Sequence, residues 1–540
     1  MLRDKLQSDP GFQYIIDALN LISAAGRRAL LDFPFLTTPE AVNAELDNLE
    51  TVIGVVSVTD NLHTVSEIKH HLMCLHDSQG TVANLSQHSV INEVELFEVK
   101  NIAYTAAAVS RSAEPLGLKE IFSLPDLSDV FSLLDPDNTG LPHFYIYDSY
   151  HPDLPDIRKR LKQLQARTDD PEAATLYADL FAQHNDIQHS VETKLSQQLW
   201  ASADCLALAV KRLAYIDLLF AKAGLASAWN FTRPQITPAK QPAEDPQAIK
   251  QSSNQAIKQS DTQAIKQSSN QAIKQSSNQA IKHSSNQTLK QSSNQAIKQS
   301  GNQAIKQSSN QAFTQYKGLF NPRLLHRNQE HRLRYQPIDI TVHPGLCLIT
   351  GANMAGKTVL LKTLGIAQLL TQFGMYVPAE SATVSLVDDV IFCIGDEQNE
   401  MNGLSSFASE IIKISEVVQL SASQRLLILI DEPARTTNPV EGKAIVQALS
   451  DILISRDSFS LVTTHYSQLG VPCRRLRIAG FREDLVGAPL SPENINLFMD
   501  YSLVEDNSDT VPQEALRIAT LLRCDETLIQ KAQEHLTNQQ

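Results

Sequence analysis

Gly351, Gly356, Lys357 and Thr358 stand at the spacing G-x-x-x-x-G-K-[ST], the pattern of a loop that holds phosphate. An apolar, strand-like run, Leu346-Cys347-Leu348-Ile349-Thr350, leads into it, and an apolar helical pattern continues from it to Phe373. Ala352, Asn353, Met354 and Ala355 complete the turn. Small residues let backbone N–H groups turn inward around a triphosphate, and the N-terminus of the following helix adds a partial positive charge. Lys357 is then placed to reach the β- and γ-phosphates and Thr358 to set its hydroxyl on Mg²⁺. A strand-turn-helix that binds no nucleotide is the competing reading of the motif by itself.

Two further groups bear on that choice. Leu426-Leu427-Ile428-Leu429-Ile430 reads as a buried strand ending in Asp431-Glu432, 73 residues after Thr358. At this point of a phosphate-loop fold the first carboxylate holds Mg²⁺, directly or through water, and the second orients or deprotonates the attacking water. Asp431 is therefore the metal-side candidate and Glu432 the general base. One strand later, Ser460-Leu461-Val462-Thr463-Thr464 ends in His465-Tyr466. A histidine at the C-terminal end of a parallel strand can read the γ-phosphate or the attacking water, and a core histidine is the alternative.

The elements that must position these groups follow from hydrophobic pattern. Strand-like runs at 346–350, 388–394, 426–430 and 460–463 alternate with helical segments at 357–373, 405–420 and 441–455, an α/β arrangement. Pro512 to Leu536 reads as one or two helices. From Gly11 to about Gly224 the pattern is helical, with helices around 65–76, 91–110, 155–167 and 172–224. Thr38 is placed as an N-cap, with Pro39 in the first helical position. Between about 125 and 155, prolines and Asp135-Pro136-Asp137-Asn138-Thr139-Gly140 mark loops. The last segment begins like a calcium loop, but Ile146 occupies the position where the twelfth-residue Glu belongs, so it reads as a turn. His70, His71 and His76 around Cys74 lack zinc-site spacing and read as ordinary helix positions.

Residues 247–310 are eight tandem octapeptides of the type Gln-Ala-Ile-Lys-Gln-Ser-Ser-Asn. Eight residues turn a helix by about 800°, so successive Ile side chains form no stripe, and the array reads as a disordered tether. It carries eight lysines and one acid, Asp261; the formal net charge of the whole chain is −14, which leaves −21 on the remainder. Such a body repels a phosphate backbone unless its basic residues gather on one face. The six cysteines form no C-x-x-C, no apolar run approaches the roughly 18 residues of a membrane span, and the N-terminus opens no signal peptide, all of which fits a cytoplasmic protein with no membrane partner. The reading divides the chain into a helical domain at 1–232, a Pro-rich linker with the repeats at 233–316, and an α/β domain with C-terminal helices at 317–540.

The segments 350–358, Tyr376-Val377-Pro378-Ala379, Gly403-Leu404-Ser405-Ser406-Phe407, Asp431-Glu432 and Thr464-His465-Tyr466 resemble, in order and spacing, the MutS family of ATPases. The resemblance covers about 200 residues and extends more weakly to 26–47, 499–503 and 515–519. It implies an ABC-type P-loop ATPase domain on an all-α core and lever domain, with ATP and Mg²⁺ as cofactors. It also implies a homodimer, or a heterodimer with a MutS-like subunit, in which Ser405 of one subunit completes the site of the other. His465 would be the family's switch histidine and Asn353 its P-loop asparagine.

Departures are also legible. No Phe-x-Glu mismatch-reading segment precedes the core helices, only about 60 residues around 140–200 are left for a clamp, and Ala434-Arg435-Thr436-Thr437 stands where the family has Gly-Arg-Gly-Thr. The expected function is a dimeric, DNA-associated ATPase clamp in repair or recombination rather than a direct mismatch reader. The alternative is an ATP-driven reactivating factor for a protein client such as a cobalamin-dependent aminomutase, because trimmed MutS-like ATPases with the Ala-Arg-Thr-Thr-Asn-Pro variation resemble this chain.

Overall fold

The computed structural model describes residues 1–165, 171–237, 312–351, 356–394, 406–482, 498–506, 516, 519–520 and 524–537. The octapeptide repeats lie outside these residues.

Up to Ala228 the regular elements among the described residues are all helices. The principal helices are α1 (Pro10–Asp17), α2 (Ala24–Leu31), α3 (Pro39–Val56), α4 (Leu62–Met73), α5 (Glu93–Ala113), α6 (Leu154–Gln165), α7 (Pro171–Leu199) and α8 (Ala203–Ala228). The expected cap of α3 is present: Thr38 accepts a hydrogen bond from Ala41 N–H, and Pro39 opens the helix. α8 is the hub, because α2, α3 and α5 all pack on it. Its Asp217, almost fully buried, accepts from the backbone N–H groups of Ile22 and Ser23 and from Ser23 Oγ at 2.7–3.2 Å. That carboxylate fixes the entry to α2. α6 and α7 pack on each other, and Val191, Leu195 and Leu199 of α7 join the main core.

Two expectations are corrected. The single helix expected over 172–224 is broken at Trp200–Ser202 into α7 and α8 by a 3₁₀ turn. There the Trp200 indole donates to Ser89 O at 3.1 Å and packs edge-on against His88, a tertiary contact that no local pattern announces. The stretch at 125–155, read as loops, also contains a helix at Ser128–Leu134.

The C-terminal half is built on two sheets. The larger has the order β10-β9-β4-β8-β7-β6, from β4 (Gly345–Thr350), β6 (Asp389–Cys393), β7 (Leu426–Ile430), β8 (Phe459–Thr463), β9 (Arg474–Phe481) and β10 (Met499–Glu505). All pairings are parallel except β10 with β9. The smaller sheet has the order β1-β5-β2-β3, from β1 (Gln235–Ile236), β2 (Thr314–Leu319), β3 (Ile338–Val342) and β5 (Ser381–Val384).

Side chains alternate across the large sheet and divide its burial between two faces. Cys347, Ile349, Leu427, Leu429 and Leu461 join the main core, which includes α9 (Lys357–Gln372) and the helical half. Leu346, Leu348, Leu426, Ile428, Ile430 and Val462 form a second core with α10 (Ser406–Leu420) and α11 (Pro439–Leu453). Runs buried on both faces read as continuous apolar segments, which is why these strands were visible in sequence. A further helix, α12 (Glu526–Thr537), lies near the C-terminus.

The chain leaves the small sheet after β1 and returns at β2. Ser385 sits between the two points: its hydroxyl donates to Phe313 O at 2.8 Å and pairs with Thr237 Oγ1 at 2.7 Å. Among the described residues no helix is long and apolar enough to cross a membrane, and no cluster of His, Cys, Asp or Glu is placed to hold a metal ion.

The expected turn at 135–140 forms around Asp135, which accepts from Thr139 Oγ1 and Gly140 N–H at 2.5 and 2.8 Å. Lys100 of α5, fully buried, donates to Asp135, His143 O and the Tyr147 hydroxyl at 2.8–2.9 Å. Burial opposes the charge of Asp135, but the bonds from Thr139, Gly140 and Lys100 win and bring its carboxyl from 3.8 down to about 2. The folded value lies below the unfolded one, so this stabilisation is complete above about pH 4 and is lost as pH falls toward 2. Asp135→Asn should destabilise the fold by about 3–5 kcal/mol at neutral pH by stranding a buried cation. In unfolding curves taken from pH 5 to 2, the gap to the unsubstituted protein should narrow.

Candidate active site

β4, β8 and β7 are neighbours in parallel register, with Ile349 beside Thr463 and Ile430 beside Val462. Their C-terminal ends therefore form one rim, where ligands gather in such sheets. Gly351 follows β4 at φ +146° and Gly356 precedes α9 at φ +85°. A side chain at Gly356 would be strained by that φ and would also meet the Tyr501 ring at 3.2 Å. Both glycines are thus required by the backbone path itself.

Lys357 is almost buried, and its Nζ donates to Gly351 O at 2.8 Å, closing the two ends of the loop on each other. The same ammonium lies 3.3 Å from Glu432 Oε1. Thr358 Oγ1 donates to Asp431 Oδ2 at 2.5 Å. Asp431 Oδ1 accepts from Thr463 Oγ1 at 2.6 Å, and that hydroxyl accepts in turn from Glu432 N–H at 2.8 Å. One β8 hydroxyl therefore fixes both carboxylate residues at the end of β7.

The turn after β7 is left-handed at two non-glycine residues, Glu432 (φ +45°) and Ala434 (φ +59°). Such backbone persists only where its surroundings hold it. Here Ala434 N–H donates to Glu410 Oε1 of α10 at 2.9 Å, and the Tyr466 hydroxyl donates to Ala434 O at 3.2 Å. Burial raises the Glu410 carboxyl above its ordinary range, opposed by the Ala434 bond and by Arg435. Gly442 of α11 leaves room for Tyr466, whose hydroxyl lies 2.2 Å from where a Cβ would sit.

His465 is exposed at the rim, its ring 4.2 Å from that of Tyr466. Partial desolvation pushes its pKa below 6.5; the field of Glu432 opposes this, while those of Lys357 and Arg435 add to it. The neutral imidazole is thus favoured near pH 7. Arg435 lies 3.7 Å from Glu432 Oε2.

Gly351, Gly356, Lys357, Thr358, Asp431, Glu432 and His465 are thereby brought to one rim. Ala352, Asn353, Met354, Ala355 and Ser405 lie outside the described residues. Sequence reasoning missed the positioning roles of Thr463 and Glu410. It also missed a cavity of about 580 Å³ beside Gly356, whose lining includes Arg327, His331, Tyr335, Gln336, Val359 and Tyr501. Gln336 braces this wall: it accepts from Tyr501 N–H at 3.2 Å and donates to Asp500 at 2.9 Å. Three distant segments supply the cavity, so no spacing rule could mark it.

The donor set suits a magnesium nucleotide. Thr358 and Asp431 offer hard oxygens of the kind Mg²⁺ takes, and Lys357 offers a cation beside a glycine-bounded loop.

Comparison with known proteins agrees with this chemistry. The sequence model of MutS domain V matches residues 347–540. Similar relatives include "Endonuclease MutS2" of Gemmatimonas aurantiaca, 35% identical over 205 residues, which are 37% of this chain and 24% of that protein. "Endonuclease MutS2" of Thermus thermophilus is 44% identical over 124 residues, 23% of this chain and 16% of that protein. "DNA mismatch repair protein MutS" of Thermus thermophilus is 37% identical over 140 residues, 26% of this chain and 17% of that protein. The chain thus spans about a quarter or less of the length of these relatives. Residues 347–540, about a third of the chain, thus match MutS domain V, and the similarity to the MutS family rests on that part.

Proposed function

We propose that this chain binds and hydrolyses ATP, with residues 317–540 as an ABC-type P-loop ATPase domain and residues 1–232 as its helical core and lever. The observation that carries the reading is the convergence of Lys357, Thr358, Asp431 and Glu432 within hydrogen-bonding reach, although 73 residues separate Thr358 from Asp431. Lys357 neutralises the β- and γ-phosphates. Thr358 and Asp431 hold Mg²⁺, which when bound screens phosphate charge. Glu432, fixed through its N–H by Thr463, accepts the proton of the attacking water, and neutral His465 accepts or donates a hydrogen bond at the γ-phosphate side. The cavity beside Tyr501 takes the nucleobase.

In this reading the protein works as a dimer, homo- or heterodimeric with a MutS-like subunit, and Ser405 completes the site of the opposite subunit. The names of its relatives support DNA as the object that the ATP cycle acts on, in repair or recombination. The −21 charge outside the repeats favours, as second reading, a protein client such as a cobalamin-dependent aminomutase.

Glu432→Gln should retain ATP binding while turnover falls about 10²–10⁴-fold, and Lys357→Ala should lose binding; normal turnover by Glu432→Gln would remove it as the base. Thr463→Val should weaken Mg²⁺ affinity about 10–100-fold, read from the Mg²⁺ concentration that half-saturates turnover, as loss of a group that orients a metal ligand does. Mixing Ser405→Ala with Lys357→Ala subunits should restore partial turnover only if sites are shared. Anisotropy titrations with duplex and branched DNA at two salt concentrations should show affinity falling steeply with salt. Absence of both binding and DNA-stimulated turnover would leave the protein-client reading.

A further inference from the structure

α9 runs from Lys357 at the phosphate loop to Gln372, about 24 Å away, and is buried along most of that length. Its far end is held by the helical half. Leu36 N–H donates to Gln372 O at 2.8 Å, and the Gln372 side chain donates back to Leu36 O at 2.8 Å. Gly374 follows at φ +63°, and a Cβ there would lie 2.7 Å from Glu45 Cβ, so α3 rests directly on this backbone.

Lys222 enters the seam from α8 with 2% of its surface exposed. Its Nζ donates to Phe373 O at 2.8 Å and to Gly374 O at 3.4 Å, lies 4.0 Å from the Phe33 ring centre, and lies 4.0 Å from Glu45 Oε2. Tyr215 of α8 donates to the other Glu45 oxygen at 3.2 Å. A cation at a helix C-terminus is attracted by the partial negative charge there. Adhesion alone does not need it. Phe12 and Phe35 already pack on Phe373, with ring centres 6.0 and 5.5 Å away, and apolar contacts join surfaces at lower desolvation cost than a buried charge. What the ammonium adds is a directional bond between the hub helix α8 and the end of the helix whose other end carries Lys357 and Thr358.

We propose that Lys222 is a positioning residue for the nucleotide site, through which the helical half sets the placement of α9 and hence of Lys357 and Thr358. The proposal rests on the reading of that site as an ATP site.

Burial pulls the Lys222 ammonium from 10.5 down to about 8, with Glu45 opposing the fall. Glu45 on α3 is the charged group facing it; the remaining neighbours are the Phe33 ring and the two carbonyls. The charged form is therefore lost as pH rises through about 8. The unfolded chain binds this proton more tightly than the folded one, so between about 8 and 10.5 this group's contribution to stability rises with pH. Positioning should weaken over the same window in which this contribution to stability grows, an opposition that a purely structural role does not produce.

The test uses the full chain, with calorimetric MgATP binding, steady-state turnover and thermal unfolding of the unsubstituted protein, Lys222→Met, Lys222→Arg and Glu45→Gln. Lys222→Met should lower kcat about 10–100-fold, the scale of a small misplacement of reacting groups, with KM unchanged and without the alkaline fall in turnover. Lys222→Arg should restore most of kcat, and Glu45→Gln should move the alkaline fall to lower pH. Unsubstituted kcat in Lys222→Met, or the same alkaline fall in that variant, would overturn the proposal. If Lys222→Met does not fold, an unmoved fall in Glu45→Gln would overturn it. If the unsubstituted protein binds no ATP, the nucleotide reading fails instead.

Discussion

The burial of α9 is the constraint on which both halves of the protein depend. Leu360, Leu361, Leu364, Ile366, Ala367, Leu369 and Leu370 are each at most 2% exposed. Each large apolar side chain so buried contributes roughly 1.5–3 kcal/mol. One side of the helix closes the β-sheet and another receives α1 and Phe12 from the helical half. Gly356 and Lys357 stand at the start of this helix, so their position is inherited from a packed core.

The rim chemistry extends the same logic. A single hydroxyl, that of Thr463, joins the Asp431 carboxylate to the Glu432 backbone, and Glu410 with Tyr466 holds the left-handed turn beyond. Asp431, Glu432 and the turn after them are thus braced from neighbouring elements. This is how a site keeps its geometry while its cations and carboxylates face one another.

Sequence pattern located what apolar burial encodes. β4, β6, β7 and β8 and helices α9 to α11 lie within about two residues of their expected limits, because each is a continuous or helically spaced apolar run. β9, written Arg-Arg-Leu-Arg-Ile-Ala-Gly-Phe, and β2, written Thr-Gln-Tyr-Lys-Gly-Leu, were not anticipated: polar residues on their exposed faces dilute the signal, and their pairing comes from distant chain. The break at Trp200 depends on Ser89 and His88, and the cavity beside Tyr501 on three separated segments. Motif spacing revealed Lys357, Thr358, Asp431 and Glu432. It could not reveal Thr463 as their brace, because a threonine in an apolar strand is unremarkable until its neighbour across the sheet is known.

Ser385 gives the octapeptide array an unusual freedom. Because Thr237 and Phe313 are both bonded to one serine in the small sheet, the chain between them starts and finishes at nearly the same place whatever its length. By chain statistics, eight further residues in a closed segment of this length cost only roughly 0.1 kcal/mol of closure entropy. Tandem copies arise and vanish by slippage of a repetitive coding sequence, in steps of one repeat. At this position such steps leave the bonds at Ser385 in place, so the sheet on either side can stay closed.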